Sequence, residues 1–268
     1  MEYPFHVHDV HISDPYILAD EATGKYYLYA AFFNIDRYPN QKRRGAFHAL
    51  VSEDLVNWSV QRLLPLGDED FGCLWAPDVF YDPEKEDYVL HWSSSHTSNG
   101  FGNMGIWFSR TRDFKSFGVP KLLYQKDDAG VIDSAIYTEN GKYFLFLKSD
   151  HNPERIILLQ ADHAEGPYIR NEEFDRSMLA IEAGLYEGPT AVRLEDGRWC
   201  LFIDYYGVKG AGQGYVPFVA PSMASGEFVR SDAKFSFPYG FKHGTLLTIT
   251  EEEYDRICRV IEERKQSV

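Results

Sequence analysis

The sequence predicts an all-β fold, a five-bladed β-propeller with a short C-terminal helix, and the evidence is a repeat. A pattern of one polar opening residue, an apolar strand, a tight turn and a second strand recurs along the chain. The repeats open at Asp14, Asp78, Asp133, Glu187 and His243, at intervals of 64, 55, 54 and 56 residues. A period near 55 residues suits the four-stranded blades of a propeller. Because the repeat runs through the whole sequence, we expect one domain over residues 1–268.

Composition narrows the choice of partner. Aromatic residues make up 16% of the chain and recur within the predicted strands, where we expect them to pack between blades. The formal net charge of −14 disfavours nucleic acid and anionic membrane as partners, because binding phosphate requires clustered Lys and Arg. A neutral small molecule fits this charge better.

Cysteine usage and the N-terminus favour a cytoplasmic protein. Cys73, Cys200 and Cys258 lie far apart and match neither a metal-binding spacing nor a disulfide framework. The N-terminus lacks a charged segment followed by an apolar run, so we expect no secretory signal, unless a leader has been removed. No window is apolar enough to predict a membrane span.

The N-terminal segment PFHVHDVHI alternates with period two and is predicted to be a strand that closes the ring. Its histidines, His6, His8 and His11, also permit a zinc site, but no Cys or carboxylate completes a known ligand spacing. We therefore favour the strand.

The first repeat predicts where a ligand would bind. It reads as strand A over residues 15–18, a turn over residues 21–24 and strand B over residues 26–30. Because A and B are antiparallel, the residue that opens A and the loop that follows B share one end of the blade. Four long loops should therefore form a rim around the opening residues, at residues 32–44, 93–105, 149–155 and 205–215. Loops on a rigid scaffold commonly carry function.

The C-terminal segment TEEEYDRICRVIEERK predicts a helix over residues 250–266. Thr250 and Glu253 have the spacing of a capping box. Tyr254, Ile257, Cys258 and Ile261 would share one face. The fifth repeat therefore has room for one strand and this helix, which is why we expect the N-terminal strand to complete it.

Acidic residues open repeats one to four, and this convergence indicates chemistry. A single opening Asp could simply cap the turn into its strand. Several carboxylates at the narrow end of a ring repel one another unless they have a function. Paired carboxylates without a nucleophilic Ser or Cys, a metal motif or a phosphate loop indicate glycoside hydrolysis.

The motifs SDPYIL at Asp14, LWAPDVFYD at Trp75, IDSAIY at Asp133, EGPTAV at Glu187 and HGT at His243 resemble the family 43 glycoside hydrolases. The resemblance covers nearly the whole chain and implies a five-bladed propeller. It implies that Asp14 is the general base, Glu187 the general acid and Asp133 the residue that tunes and orients the acid. The family inverts configuration, so we expect the carboxyls of Asp14 and Glu187 to lie about 6.5–9.5 Å apart.

The resemblance also implies a substrate pocket without a required cofactor. It makes Trp75 a sugar-binding aromatic, with core packing as the alternative, and leaves Asp78 structural. His243 would contact water around a structural calcium ion on the propeller axis, or would be a buried structural histidine. Phe32, Phe33 and Tyr205, at the edges of rim loops, complete the predicted substrate contacts together with His243.

The sequence departs from many relatives in two places. Ser13 stands before the predicted base where many relatives have His, and the chain lacks the extra β-sandwich that many xylosidases of the family carry. We therefore expect an exo-acting enzyme on small plant-type oligosaccharides, an α-L-arabinofuranosidase first and a β-xylosidase or β-galactosidase next. The alternatives are a carbohydrate-binding propeller that has lost catalysis and a scaffold for protein partners. Oligomeric state is not predicted.

Overall fold

The computed structural model describes residues 12–32, 46–60, 62–67, 69–181, 186–206, 214–235 and 243–266. Within these ranges the chain forms four antiparallel sheets of four strands, each paired in chain order as a meander. The strands of the first two sheets are β1 Ile12–Asp20, β2 Lys25–Phe32, β3 Ala46–Ser52, β4 Arg62–Pro65, β5 Trp75–Asp82, β6 Asp87–Ser94, β7 Gly105–Thr111 and β8 Lys121–Tyr124. Those of the other two are β9 Val131–Glu139, β10 Lys142–Ser149, β11 Arg155–Ala161, β12 Ile169–Arg170, β13 Tyr186–Arg193, β14 Trp199–Tyr205, β15 Gly214–Ala220 and β16 Val229–Arg230.

Two α-helices and two short 3-10 helices accompany these sheets. Helix α1, Glu172–Met178, follows the third sheet and buries Phe174 and Met178 against the core. Helix α2, Glu251–Gln266, ends the described chain. The 3-10 helices cover Thr97–Asn99 and Asp232–Lys234. None of the helices in the described ranges is long and apolar enough to cross a lipid bilayer.

The core lies between neighbouring sheets, which is the packing of propeller blades. Trp92 of the second blade meets the edge of Phe47 in the first, with ring centroids 5.8 Å apart. Phe80 of the second blade likewise packs on Tyr143 of the third. The prediction that aromatic residues fill the space between blades is confirmed. Cys200 is buried, and Cys73 and Cys258 are partly buried.

A polar contact recurs at each of these blade interfaces. The carboxylate that ends strand A of one blade accepts a hydrogen bond from an aromatic residue at the start of strand B in the next blade. Asp20 accepts from the hydroxyl of Tyr88. Asp82 accepts from Tyr143 at 2.5 Å and Glu139 from the indole of Trp199 at 2.7 Å. These carboxylates are buried, so each bond stabilises the packing of two blades.

The opening of strand A has the same distorted backbone in every repeat. Asp14, Ala76, Asp133 and Gly188 adopt positive φ angles of 50°, 46°, 56° and 52°, and a register shift follows at each position. His243, with φ 41°, continues this series. A left-handed residue and a bulge turn the strand opening toward the axis, at a cost of about 1–3 kcal/mol for each non-glycine residue. The equivalent openers are thus Asp14, Ala76, Asp133, Gly188 and His243, which corrects the predicted alignment at Asp78 and Glu187.

The prediction of five blades is met only in part, because the described residues form four. Residues 243–250 form no ladder. Gly244 donates its N–H to the Tyr215 hydroxyl of blade four at 2.6 Å, and Thr245 accepts from the backbone of Ile17 in blade one at 3.0 Å. Within the described residues, the segment therefore bridges blades four and one through side-chain hydrogen bonds. The predicted N-terminal strand, with His6, His8 and His11, lies outside the described residues.

The predicted C-terminal helix is confirmed, including its capping box. Thr250 N donates to Glu253 Oε2 at 2.7 Å, and Glu253 N donates to Thr250 Oγ1 at 3.2 Å. The helix buries none of its residues completely, and Tyr254 of the predicted apolar face is 59% exposed.

Candidate active site

The strand openings of all five repeats converge on one cavity at the end of the propeller axis. Each repeat contributes neighbouring residues to its wall. The lining residues are Asp14, Pro15, Tyr16, Ala76, Pro77, Asp78, Asp133, Ser134, Gly188, Pro189, Thr190, His243, Gly244 and Thr245. Asp14, Asp133 and His243, three of the residues predicted to carry the site, therefore share one cavity.

His243 lies between two of the carboxylates. Its Nδ1 is 3.1 Å from Asp14 Oδ1, and its Nε2 is 4.0 Å from Asp133 Oδ1. Burial acts to lower the pKa of His243, but the charges of Asp133 and Asp14 outweigh burial, so the pKa of His243 is raised. An imidazolium in this position offsets the repulsion between the two acids.

Asp133 is the most buried of the predicted triad, with 6% of its surface exposed. Burial raises the pKa of Asp133; the charge of His243 opposes this rise, whereas the charges of Glu187 and Asp14 add to it. The backbone N–H of Gly188 donates to Asp133 Oδ2 at 3.2 Å. Because Gly188 directly follows Glu187, this bond ties Asp133 to the strand that carries Glu187, as an orienting residue requires.

Glu187 lies on β13, beside the left-handed Gly188. Lys148, near the end of β10, donates from Nζ to Glu187 Oε2 at 3.3 Å. A Cβ at position 188 would lie 3.0 Å from the imidazole of His243. Only glycine therefore fits both the backbone and the close approach of His243.

Two further charged residues at the site, Lys148 and Asp204, were not predicted from the sequence. Asp204 on β14 pairs in register with Glu187 and is fully buried. Asp204 is the single charged residue of its strand, WCLFIDY, and Lys148 is the only charge inside its strand, KYFLFLKS, which also begins with Lys142. A charged residue within an apolar strand could have been noticed in the sequence, because a buried charge needs a partner of opposite charge or a hydrogen bond.

The predicted substrate contacts have different surroundings. Trp75 begins β5, is 37% exposed and directly precedes Ala76, which lines the cavity. Tyr205 instead packs on Tyr186, with ring centroids 5.0 Å apart. Phe32 ends β2, and Phe33 lies outside the described residues. Substrate contact by these residues stays a prediction, as does the separation of the Asp14 and Glu187 carboxyls.

Asp78 lines the deeper wall of the cavity rather than opening its repeat. It is 7% exposed and hydrogen-bonded to Tyr16, and its Oδ1 lies 3.8 Å from His91 Nε2. Burial raises the pKa of Asp78 well above its ordinary value, although hydrogen bonds from Val79 and Tyr16 oppose this.

The calcium ion implied by the resemblance can be tested against these side chains. Glu187, Asp204 and His243 bring their ligand atoms within 4.8 Å of one another. Calcium takes six to eight oxygen ligands, but only two of these three side chains offer oxygen. Lys148 already places a positive charge 3.3 Å from Glu187. These three side chains do not by themselves supply the oxygen ligands of calcium, and the ion, contacted by His243 through water, stays a prediction.

Fold and site together define a class of protein: a β-propeller that concentrates carboxylates at one end of its axis, as hydrolysis of a glycosidic bond requires. A family described as "probable glycosyl hydrolase domain", related to family 43, matches residues 6–255. The chain belongs to this family, which confirms the resemblance drawn from the sequence.

Individual relatives are more distant. The α-L-arabinofuranosidase of Bifidobacterium longum subsp. longum is 22% identical over 219 residues, which cover 68% of this chain and 20% of that protein. This chain therefore spans about a fifth of the length of that curated relative.

Two solved structures share the fold. The endo-arabinase of Bacteroides thetaiotaomicron superposes with a TM-score of 0.59 at 18% identity, covering 83% of this chain and 80% of that one. An α-L-arabinofuranosidase of Podospora anserina, solved in complex with cellotriose, superposes with a TM-score of 0.59 at 16% identity, covering 82% and 67%.

Proposed function

We propose that this protein is an inverting, exo-acting glycoside hydrolase that removes α-L-arabinofuranosyl groups from small plant-type oligosaccharides. The observation that carries the proposal is the shared cavity of Asp14 and Asp133, with His243 between them and Glu187 tied to Asp133 through Gly188. The arabinofuranosidase activity of the Bifidobacterium relative supports the choice of sugar.

In the proposed reaction Asp14 is the general base. Its carboxylate removes a proton from a water molecule, which attacks the anomeric carbon from the face opposite the leaving group. The His243 imidazole, 3.1 Å from Asp14 Oδ1, fixes the position of the carboxylate. The water oxygen becomes the new anomeric hydroxyl with inverted configuration.

Glu187 is the proposed general acid. It donates its proton to the glycosidic oxygen as the bond from that oxygen to the anomeric carbon breaks. Asp133 does not touch the reacting atoms in this scheme. Its bond to Gly188 N and its charge set the orientation and proton affinity of the acid.

The ring itself is proposed to have a fifth, incomplete repeat. His243 repeats the left-handed opening of the other four blades. Phe235 and Leu246 pack on the outer face of blade four at Cys200, Phe202 and Val219, where a further blade would lie. This packing of Phe235 and Leu246 would place His243 on the propeller axis, facing Asp133.

The proposal is tested by hydrolysis of a panel of aryl glycosides: α-L-arabinofuranoside, β-D-xyloside and β-D-galactoside. Wild type should cleave the arabinofuranoside, and Asp14→Asn should lose at least about 10²-fold in kcat/KM on it. Glu187→Gln should lose as much on an arabino-oligosaccharide, whose leaving group needs the acid, and less on an activated aryl glycoside. Glu195→Gln, an exposed carboxylate in the turn after β13, is the matched control and should retain wild-type activity. If wild type cleaved only the xyloside or only the galactoside, the enzyme would be a β-xylosidase or a β-galactosidase in place of an arabinofuranosidase.

A carbohydrate-binding propeller without catalysis is the alternative. It would bind oligosaccharide equally well in wild type and Glu187→Gln, because binding needs no proton donor. Calorimetry with arabino-oligosaccharides would detect this, and wild type would then show no hydrolysis.

A further inference from the structure

Lys148 is the cation that the proposed reaction leaves without a role. It is the seventh residue of β10, and its side chain is only 14% exposed. Its Nζ lies 3.3 Å from Glu187 Oε2 and 5.0 Å from the centre of the Tyr206 ring. A lysine is rarely so buried unless its charge is used.

The ammonium remains charged through the neutral range. Burial alone would lower the pKa of Lys148, but the charge of Glu187 and the neighbouring groups Tyr206 and Asp133 raise it above its ordinary value. An ammonium group donates three hydrogen bonds and accepts none. Glu187 Oε2 must therefore be the acceptor in this pair.

This contact distinguishes the two oxygens of Glu187. Since Oε2 accepts from Lys148, a proton that Glu187 gives to a leaving group must be carried by Oε1. A half-turn of the carboxyl merely exchanges its two equivalent oxygens and restores the Lys148 bond, whereas a partial rotation would break it. The contact thus determines which oxygen can face the substrate.

Among the residues that the structure describes, the charged groups Asp133, Asp204 and His243 near Glu187 do not replace Lys148. Asp133 on β9 and Asp204 on β14 are carboxylates, which repel Glu187 when they are ionised. His243 is shared between Asp14 and Asp133. Without Lys148, the carboxylate of Glu187 would lie near those of Asp133 and Asp204. The His243 imidazole would not compensate, because it already contacts Asp14 and Asp133.

We propose that Lys148 is a positioning residue that holds Glu187 through Oε2, so that Oε1 is the oxygen that protonates the leaving group. This inference rests on the proposed function. In the reaction, the proton on Oε1 passes to the glycosidic oxygen, the bond from that oxygen to the anomeric carbon breaks, and Glu187 becomes a carboxylate that remains bound to Lys148.

The leaving group provides the test. A dinitrophenyl glycoside departs without protonation, whereas an alkyl glycoside or an arabino-oligosaccharide needs the acid. Lys148→Met should lower kcat/KM for the oligosaccharide by about tenfold or more while changing the rate with the dinitrophenyl glycoside by less than about twofold. Lys148→Arg, which retains a donor cation, should recover most of the lost activity.

The matched control is Lys142→Met on the same strand. Lys142 is half-exposed and pairs with Asp162 at 3.0 Å, away from the cavity, so both rates should equal those of wild type. If Lys148→Met lowers both rates equally, or changes neither, the positioning role is wrong.

A crystal structure of Lys148→Met separates this inference from the proposed function. The Glu187 carboxyl should rotate away from its wild-type position, and an unchanged carboxyl would overturn the inference even if wild type proved inactive. Failure of wild type to cleave any glycoside would overturn the proposed function, whatever the position of Glu187.

Discussion

Tyr26 of the first blade donates its hydroxyl hydrogen to Glu253 in the C-terminal helix. Tyr26 occupies the same place in its blade as Tyr88 and Tyr143, which donate to strand-end carboxylates of the preceding blade. Glu253 therefore accepts, for blade one, the hydrogen bond that a strand-end carboxylate accepts at the other interfaces. The bond joins helix α2 to blade one.

Removal of this hydroxyl should destabilise the fold. Tyr26→Phe should lower the free energy of unfolding by about 1–2 kcal/mol, because Glu253 is left without that donor. Tyr254→Phe, an exposed tyrosine on the same helix, should change it by less than about 0.5 kcal/mol. Urea unfolding of both variants measures the difference in the free energy of unfolding. Equal losses in the two variants would show that the Tyr26–Glu253 bond does not stabilise the packing of the helix on blade one.

His243 should make stability depend on pH. Its pKa is raised in the folded state, so its contribution is fully present below the unfolded value of about 6.5 and is lost as pH rises through the folded value. His243→Gln should therefore cost more free energy of unfolding at about pH 6 than at about pH 9. His151→Gln, on an exposed loop, is the control. A cost independent of pH would contradict the charged pairing with Asp14 and Asp133.

Gly188 should be irreplaceable for a reason other than its backbone angle. Gly188→Ala and Gly141→Ala both place a methyl group at a left-handed residue, and each should lose about 1 kcal/mol of stability. Position 141 has open space, but at position 188 the Cβ meets His243 at 3.0 Å. Only Gly188→Ala should lower kcat/KM, by about tenfold or more. Equal activity of the two variants would show that the position of His243 does not matter.

Trp75 should contribute to substrate binding. Trp75→Ala should raise KM for an oligosaccharide by about tenfold, the equivalent of ~1.4 kcal/mol, with a smaller change in kcat. Tyr81→Ala is the control, because Tyr81 is exposed at the far end of the same strand. Steady-state kinetics of the two variants measure the split between KM and kcat. A similar KM change in both variants would assign Trp75 to packing.

The sequence was sufficient for the repeat and for placing Asp14, Asp133 and His243 at one cavity, whereas the catalytic roles stay predictions. Asp14 and Asp133 were recognised as openers, because the residue that turns each strand toward the axis stands at a fixed place in the repeat. The same reasoning misplaced two openers. Asp78 lies two residues after the left-handed Ala76, and Glu187 lies one residue before Gly188. The repeats were aligned by the type of their side chains. The feature that the five repeats share is instead a positive backbone φ angle at the strand opening.

Contacts between repeats could not be read from the sequence. The Lys148 bond to Glu187 joins β10 to β13, and the Glu253 bond to Tyr26 joins the two ends of the described chain. Each depends on the angle between neighbouring blades, which the period of a repeat does not specify. For the same reason residues 243–250 were predicted to begin with a strand, since the side-chain bridge through Thr245 has no periodic signature.

The most direct test of inverting hydrolysis is to identify the sugar anomer that forms first. Proton NMR during the first minutes of cleavage of an aryl α-L-arabinofuranoside resolves the two anomers before they equilibrate. Water activated by Asp14 on the face opposite the leaving group should give the β anomer first. Initial appearance of the α anomer, or no release of arabinose at all, would contradict an inverting arabinofuranosidase at this site.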